Sequence, residues 1–179
     1  MNYVVLEQLP HPPQDLLDAA LNSIDESAIV EQASKIQRNS GEILKKYPRF
    51  PLSDELKLWC MQNIIDNAIA YELAVSEQSE HERIKPHTDR NRNYTLMYLL
   101  RSGGENHRTV FYKHVDDSFI LTRKQSFDNN VLIEIESIAI PQHKWVLLDA
   151  QVIHSVECIP DMRVAIQISL EINHWLITN

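Results

Sequence analysis

Between residues 70 and 171 the hydrophobic pattern keeps a period of two, and that alternation constrains the fold more than any other feature of the chain. Strand-like runs fall at Ala70–Val75, Tyr94–Leu100, Thr109–Tyr112, Val131–Ile140, Trp145–Leu148, Val152–Cys158 and Arg163–Glu171. Turn signals separate them: Gly103-Gly104, Asp116-Asp117, Asp128-Asn129-Asn130, Pro141-Gln142 and Pro160-Asp161. No helical pattern lies between the runs, so crossover helices of a parallel sheet have nowhere to form. Short strands in close succession predict an antiparallel sandwich or jelly roll.

The first third reads differently. Leu16, Leu17, Ala20, Leu21 and Ile24 follow Pro12-Pro13 at helical spacing, and Val30, Ala33 and Ile36 continue it beyond a break at Asp25–Ser27. A second helix is predicted after Ser53, which can cap it, with Asp54 and Glu55 in the first turn. Its buried stripe would be Leu56, Trp59, Ile64, Ala68 and Ile69. The expected fold class is α+β, mainly β: a double-stranded β-helix (jelly roll) with N-terminal helices packed on one sheet. Residues 1–179 read as a single domain, with a helical part at 1–70 and a jelly-roll core at 71–179.

Charge narrows the function classes. With 17 Lys and Arg against 25 Asp and Glu, the net charge is −8. That balance argues against a general nucleic-acid or anionic-membrane binder, whose affinity comes from neutralising phosphates. The N-terminal stretch lacks the basic and apolar regions of a signal peptide, and no apolar run is long enough to span a bilayer. Cys60 and Cys158 show no CxxC spacing and read as reduced thiols. A soluble, cytoplasmic protein is the expectation.

Two histidines open His-x-Asp triplets: His87-Thr88-Asp89 and His114-Val115-Asp116. On a strand, residues i and i+2 face one way about 6–7 Å apart, so either pair can serve one metal from one side. Two His and one carboxylate on one face leave positions open, the arrangement that suits non-haem Fe(II) and oxygen activation. Chance alone supplies about half a triplet in a chain with 8 His, so context must choose. His87 leads through a short polar loop into the strand at Tyr94. His114 instead opens a polar excursion to Asn130, of the kind that closes over a site. His87 and Asp89 are therefore favoured.

The partner histidine is best sought at His154, in an otherwise apolar strand, with Arg163 nine residues on beyond the Pro160-Asp161 turn. A hairpin of 152–158 with 163–171 would set the two on neighbouring strands. Alternation places Arg163, Ala165, Gln167 and Ser169 on one face and Val164, Ile166, Ile168 and Leu170 on the other. An always-charged bidentate donor beside an open metal site is what an anionic chelating co-substrate needs.

This pattern resembles the Fe(II)- and 2-oxoglutarate-dependent dioxygenase superfamily across residues 83–171. Prolyl-4-hydroxylase-like enzymes share the layout. The aspartyl/asparaginyl- and free-proline-hydroxylase-like branch is similar in Arg83-Ile-Lys-Pro-His87-Thr-Asp89 and in Trp145-Val-Leu-Leu-Asp149-Ala-Gln-Val-Ile-His154-Ser-Val. By this resemblance His87, Asp89 and His154 bind iron, and Arg163 pairs with the distal carboxylate of 2-oxoglutarate. Tyr98, with Tyr94 as the alternative, assists from the strand after the triplet. The resemblance further implies hydroxylation of an unactivated C–H in an amino acid, peptide side chain or small metabolite, with release of succinate and CO₂. Asp89 stands where related halogenases have a small residue, which points to an oxidase. The chain departs from the family in having only 3 glycines and none in the Pro141-Gln-His-Lys-Trp145 turn.

Two other readings compete: a non-enzymatic jelly-roll module that binds a small molecule, and a cupin-like metalloenzyme that does not use 2-oxoglutarate. Arg163 at the family spacing opposes the first. The absence of a richer His and Glu cluster opposes the second. Residues 80–113 carry an excess of basic residues although the chain is acidic, so a dianionic co-substrate and an anionic small-molecule or peptide substrate fit the region.

Overall fold

A computed structural model describes residues 1–25, 49–76, 85–89, 91–122 and 125–171. The expectations at Val30, Ala33, Ile36 and Arg83 lie outside these residues.

Among the described residues nine strands form two antiparallel sheets that face each other. The larger holds β1 (Tyr3–Val5), β7 (Trp145–Asp149), β4 (Tyr94–Ser102), β9 (Arg163–Leu170), β3 (Ala70–Ser76) and β2 (Arg49–Pro51), in that spatial order. The smaller holds β6 (Leu132–Ile138), β5 (Arg108–His114) and β8 (Ile153–Glu157). All seven strands read from the alternation are present. The short edge strands β1 and β2 are additional, so the first seventy residues are not purely helical.

Helix α1 (Gln14–Asn22) and helix α2 (Asp54–Asn63) cover the outer face of the larger sheet. Ser53 caps α2 by accepting a hydrogen bond from the Leu56 N–H at 3.2 Å. Leu17, Ala20, Leu56 and Cys60 pack there against Leu96, Tyr98, Trp145, Val164 and Ile166. The stripe expected for α2 ends earlier than the sequence suggested. The helix stops at Asn63, and the Ile69 N–H already bonds the Ser169 carbonyl at 2.8 Å as β3 begins. Ile69 is consequently exposed rather than part of the stripe, and Cys60 takes its share of the core.

One expectation about pairing is overturned. β8 and β9 do not form a hairpin: β8 pairs with β5, whereas β9 lies between β4 and β3 in the opposite sheet. The chain changes sheets between Glu157 and Arg163, with Cys158 at φ 58°. The facial split of β9 holds. Val164, Ile166, Ile168 and Leu170 face the helices, while Arg163, Ala165 and Gln167 line a cavity between the sheets.

Candidate metal centre

His87 and His154 are fastened backbone to backbone. Each donates its N–H to the other's carbonyl at 2.9 Å, which adds the His87 segment to the edge of β8. On its other side His87 bridges to Ser126, and Phe127 N–H bonds the Pro86 carbonyl at 2.9 Å. Thr88 is buried, and its hydroxyl donates to the Thr122 carbonyl at 2.9 Å and accepts from the Gln125 N–H at 3.1 Å. The excursion after His114 therefore braces the His-x-Asp segment instead of standing free of it.

The candidate ligand atoms of His87, Asp89 and His154 all lie within 4.8 Å of one another. His87 Nε2 is 3.7 Å from Asp89 Oδ1, and the two imidazole rings are 4.6 Å apart. Each Nδ1 meets a backbone carbonyl at 2.9 Å, Lys85 for His87 and Val152 for His154. A carbonyl only accepts, so both Nδ1 atoms carry the proton and both Nε2 lone pairs are left bare toward the cluster. Burial and the neighbouring His87 push His154 down to about 4, which keeps it a neutral ligand at physiological pH.

Asp89 is oriented just as firmly. Its N–H bonds the Ala150 carbonyl at 2.9 Å, and its Oδ2 accepts from Arg92 Nε at 2.6 Å. Burial raises the carboxyl, but Arg92 and the two histidines outweigh burial and hold it below the usual carboxylate range. One oxygen is thus committed to Arg92 and the other faces the cluster, a single-oxygen ligand. Gln151 holds the intervening turn by donating to the Arg92 carbonyl at 2.6 Å.

The cluster opens into a cavity of about 150 Å³. At ~30 Å³ per water that is room for roughly five waters, a space suited to a small organic acid. Arg163 reaches the cavity from β9, fully buried, with Nη1 lacking any hydrogen-bond partner among the described residues. Its Nη2 meets the Met97 sulfur at 3.6 Å. Burial lowers the guanidinium to about 10, so it remains charged. From the other sheet Thr109 contributes a second buried polar atom, its Oγ1, without a partner among the described residues. Thr109 lies two positions along β5 from Phe111, the register partner of His154. The far end is therefore about 7 Å along the strand from the metal cluster.

Other sequence expectations fall elsewhere. Tyr98 is not brought to the cavity. It points to the helix side of β4, packs against Trp145 with the two rings tilted at 51°, and hydrogen-bonds His11 at 3.1 Å. Tyr94 shares that side, because residues 94, 96 and 98 alternate against Thr95 and Met97, which do line the cavity. His114 stacks on Phe119 at 4.2 Å, and the Asp116 carboxylate accepts from Ser118, so that triplet is a hydrogen-bonded turn. Of the basic residues at 80–113 that are described, three stand in ion pairs away from the cluster: Lys85 with Asp128, Arg108 with Glu157 and Lys113 with Asp117. Among the described residues the cations at the site are Arg163, Arg92 and Arg49, the last on a strand the sequence did not reveal.

Two facing antiparallel sheets, with helices on the larger and the His-x-Asp…His cluster between them, form a double-stranded β-helix, or jelly roll. The chain is similar in structure to SnoK, a non-heme alpha ketoglutarate dependent carbocyclase from nogalamycin biosynthesis (TM-score 0.51, 10% identity, 99% of this chain and 87% of that one). Matches also include AviO1 from Streptomyces viridochromogenes Tue57 (TM-score 0.49, 13% identity, 94% and 89% covered). A Pseudomonas putida prolyl-4-hydroxylase matches at TM-score 0.41 and 15% identity, with 95% and 87% covered. No protein-family model and no curated protein matches the chain.

Proposed function

We propose that the protein is an Fe(II)- and 2-oxoglutarate-dependent oxygenase that hydroxylates an unactivated C–H bond of a small molecule or peptide. One juxtaposition carries this reading. A three-residue cluster with both Nε2 atoms bare shares a small cavity with a buried guanidinium and a buried hydroxyl that nothing in the described chain satisfies. Leaving a charge buried and unpaired costs several kcal/mol. A structural metal site or a cupin-like centre without 2-oxoglutarate gives no reason to bear that cost.

His87, Asp89 and His154 would hold the iron, and Arg163 with Thr109 would take the distal carboxylate of 2-oxoglutarate. When bound, that pair would supply oxygen activation, in which oxidative decarboxylation of 2-oxoglutarate to succinate and CO₂ takes up one oxygen atom of O₂ and leaves the other for the substrate. The chain's own part is positional. The carbonyls of Lys85 and Val152 fix the imidazole tautomers, Arg92 aims Asp89, and Phe111, Leu148 and Ala150 keep the cavity wall apolar. SnoK, similar in fold, is a carbocyclase, and the aspartate at position 89 is compatible with hydroxylation or with another oxidative outcome.

The test is succinate release. Wild-type protein with Fe(II), 2-oxoglutarate and O₂ should form succinate slowly even without substrate, His154→Ala should abolish it, and His114→Ala should retain it. Metal-independent succinate formation, or loss in His114→Ala with retention in His154→Ala, would contradict the assignment.

A further inference from the structure

Beyond the metal cluster, a second cavity of about 300 Å³ shares Arg49, Asp89 and Arg92 with the first as a common wall. The two guanidiniums in that wall converge on one neutral atom. Gln167 Oε1 accepts from Arg49 Nη1 and from Arg92 Nη1, the latter at 3.4 Å. Arg92 also donates to Ser169 Oγ at 3.1 Å, and Arg49 reaches Glu72 at 3.4 Å. Both arginines are thus held side by side by neutral groups and two carboxylates. Burial and the charge of Arg92 pull Arg49 down, against the opposing pull of Glu72 and Asp89.

The charges lining both cavities do not cancel once the site is loaded. Among the described residues they are the cations Arg49, Arg92 and Arg163 and the anions Asp89 and Glu72, with His87 and His154 neutral once they serve as metal ligands. A divalent metal and a dianionic co-substrate offset each other, so one positive charge is left over. It resides where Arg49 and Arg92 meet, because Arg163 is taken by the co-substrate and one oxygen of Asp89 by the metal. Two like charges in a partly dry wall repel, and an anion between them relieves the repulsion.

We infer that Arg49 and Arg92 form an anion-binding subsite beside the metal cluster, and that the substrate carries a monoanionic group of the carboxylate or sulfonate type. This inference rests on the proposed oxygenase reading, from which it takes the loaded charge balance. Arg49 stands at the rim with its side chain 36% exposed, while Arg92 is 11% exposed and contacts Asp89 directly. An anion seated there brings the attached carbon chain alongside the metal, so Arg49 selects the substrate and Arg92 couples the subsite to a metal ligand.

The experiment uses manganese-loaded, 2-oxoglutarate-saturated wild-type protein, with methanesulfonate as a weakly coordinating anion and methanesulfonamide as its neutral counterpart. Relaxation of the methyl protons by Mn(II) reports binding near the metal without turnover. Saturable relaxation of methanesulfonate is expected, with none for methanesulfonamide. Affinity should fall at least tenfold in Arg49→Gln and rise several-fold in Glu72→Gln, which removes the competing carboxylate; a purely structural Arg49–Glu72 pair predicts no such rise. Loading is verified first by the Mn(II) resonance and by 2-oxoglutarate-dependent thermal stabilisation. Failure of loading overturns the oxygenase reading and with it the charge balance. Intact loading with no methanesulfonate binding, or with binding indifferent to both variants, overturns the anionic-substrate inference alone.

Discussion

Arg163 and Thr109 line the same cavity from opposite sheets, and each brings to it a buried polar atom that no described residue satisfies. The free protein therefore carries a destabilising feature that a carboxylate would relieve. Since the folded guanidinium is lowered to about 10 from 12.5, burial disfavours its charged form. The sign follows from linkage: the cost is constant below about pH 10 and is recovered only as pH rises through that value. Arg163→Met should raise the melting temperature of the ligand-free protein, by roughly 2–4 °C for each kcal/mol, by the same amount at pH 6 and pH 9. It should also weaken 2-oxoglutarate binding by about 2–5 kcal/mol. Thermal melts with and without 2-oxoglutarate check both halves.

Thr109→Val keeps the shape and removes the second orphan. Ligand-free stability should hold or rise slightly, while 2-oxoglutarate binds roughly fivefold more weakly, about the worth of one hydrogen bond. Titration calorimetry on the manganese-loaded protein reads the change.

Metal dependence separates the two His-x-Asp triplets. At a hundredfold excess over the dissociation constant, Mn(II) should raise the wild-type melting temperature by roughly 5–10 °C. His87→Ala and His154→Ala should lose that rise, and His114→Ala should keep it because its ring is stacked on Phe119 away from the cluster.

Gly103 positions Arg163 from behind. Its φ is 79°, and a Cβ there would lie 2.8 Å from Arg163 Cβ and 2.9 Å from the Asp161 carbonyl oxygen. Gly103→Ala should destabilise the protein by about 1–3 kcal/mol and weaken 2-oxoglutarate binding while leaving Mn(II) affinity unchanged. Equal losses of metal and co-substrate binding would instead indicate general unfolding.

The two cysteines should react very differently. Burial pushes the Cys60 thiol up to about 12, whereas Cys158 is exposed. A thiol-disulfide reagent at pH 8 should modify Cys158 rapidly in the native protein and Cys60 only after unfolding.

What the sequence revealed and what it hid have physical reasons. Period-two alternation reports which face a side chain takes, so the split of β9 into a helix side and a cavity side was legible from Arg163 to Leu170. It does not report a strand's partner, and strands adjacent in a jelly roll commonly lie in different sheets. Hence β8 and β9 read as a hairpin, although Arg163 meets the cluster from across the sandwich. The same parity places Tyr98 with Leu96 and Leu100, away from Met97, and following it would have moved the tyrosine off the site. Thr109 was legible only as a strand residue, because an unpaired hydroxyl has no sequence signature. Arg49 sits on a three-residue edge strand with too few positions to show a period. Its meeting with Arg92 is made entirely by tertiary contacts.

Anaerobic addition of Fe(II) and 2-oxoglutarate to the wild-type protein probes the metal cluster and the Arg163 end of the cavity together. Chelation of iron by the 2-oxo acid inside the cavity should produce a visible metal-to-ligand charge-transfer band that requires both components and is missing in His154→Ala. Folded wild-type protein that binds iron yet gives no band at saturating 2-oxoglutarate would contradict the assignment of the cavity to that co-substrate.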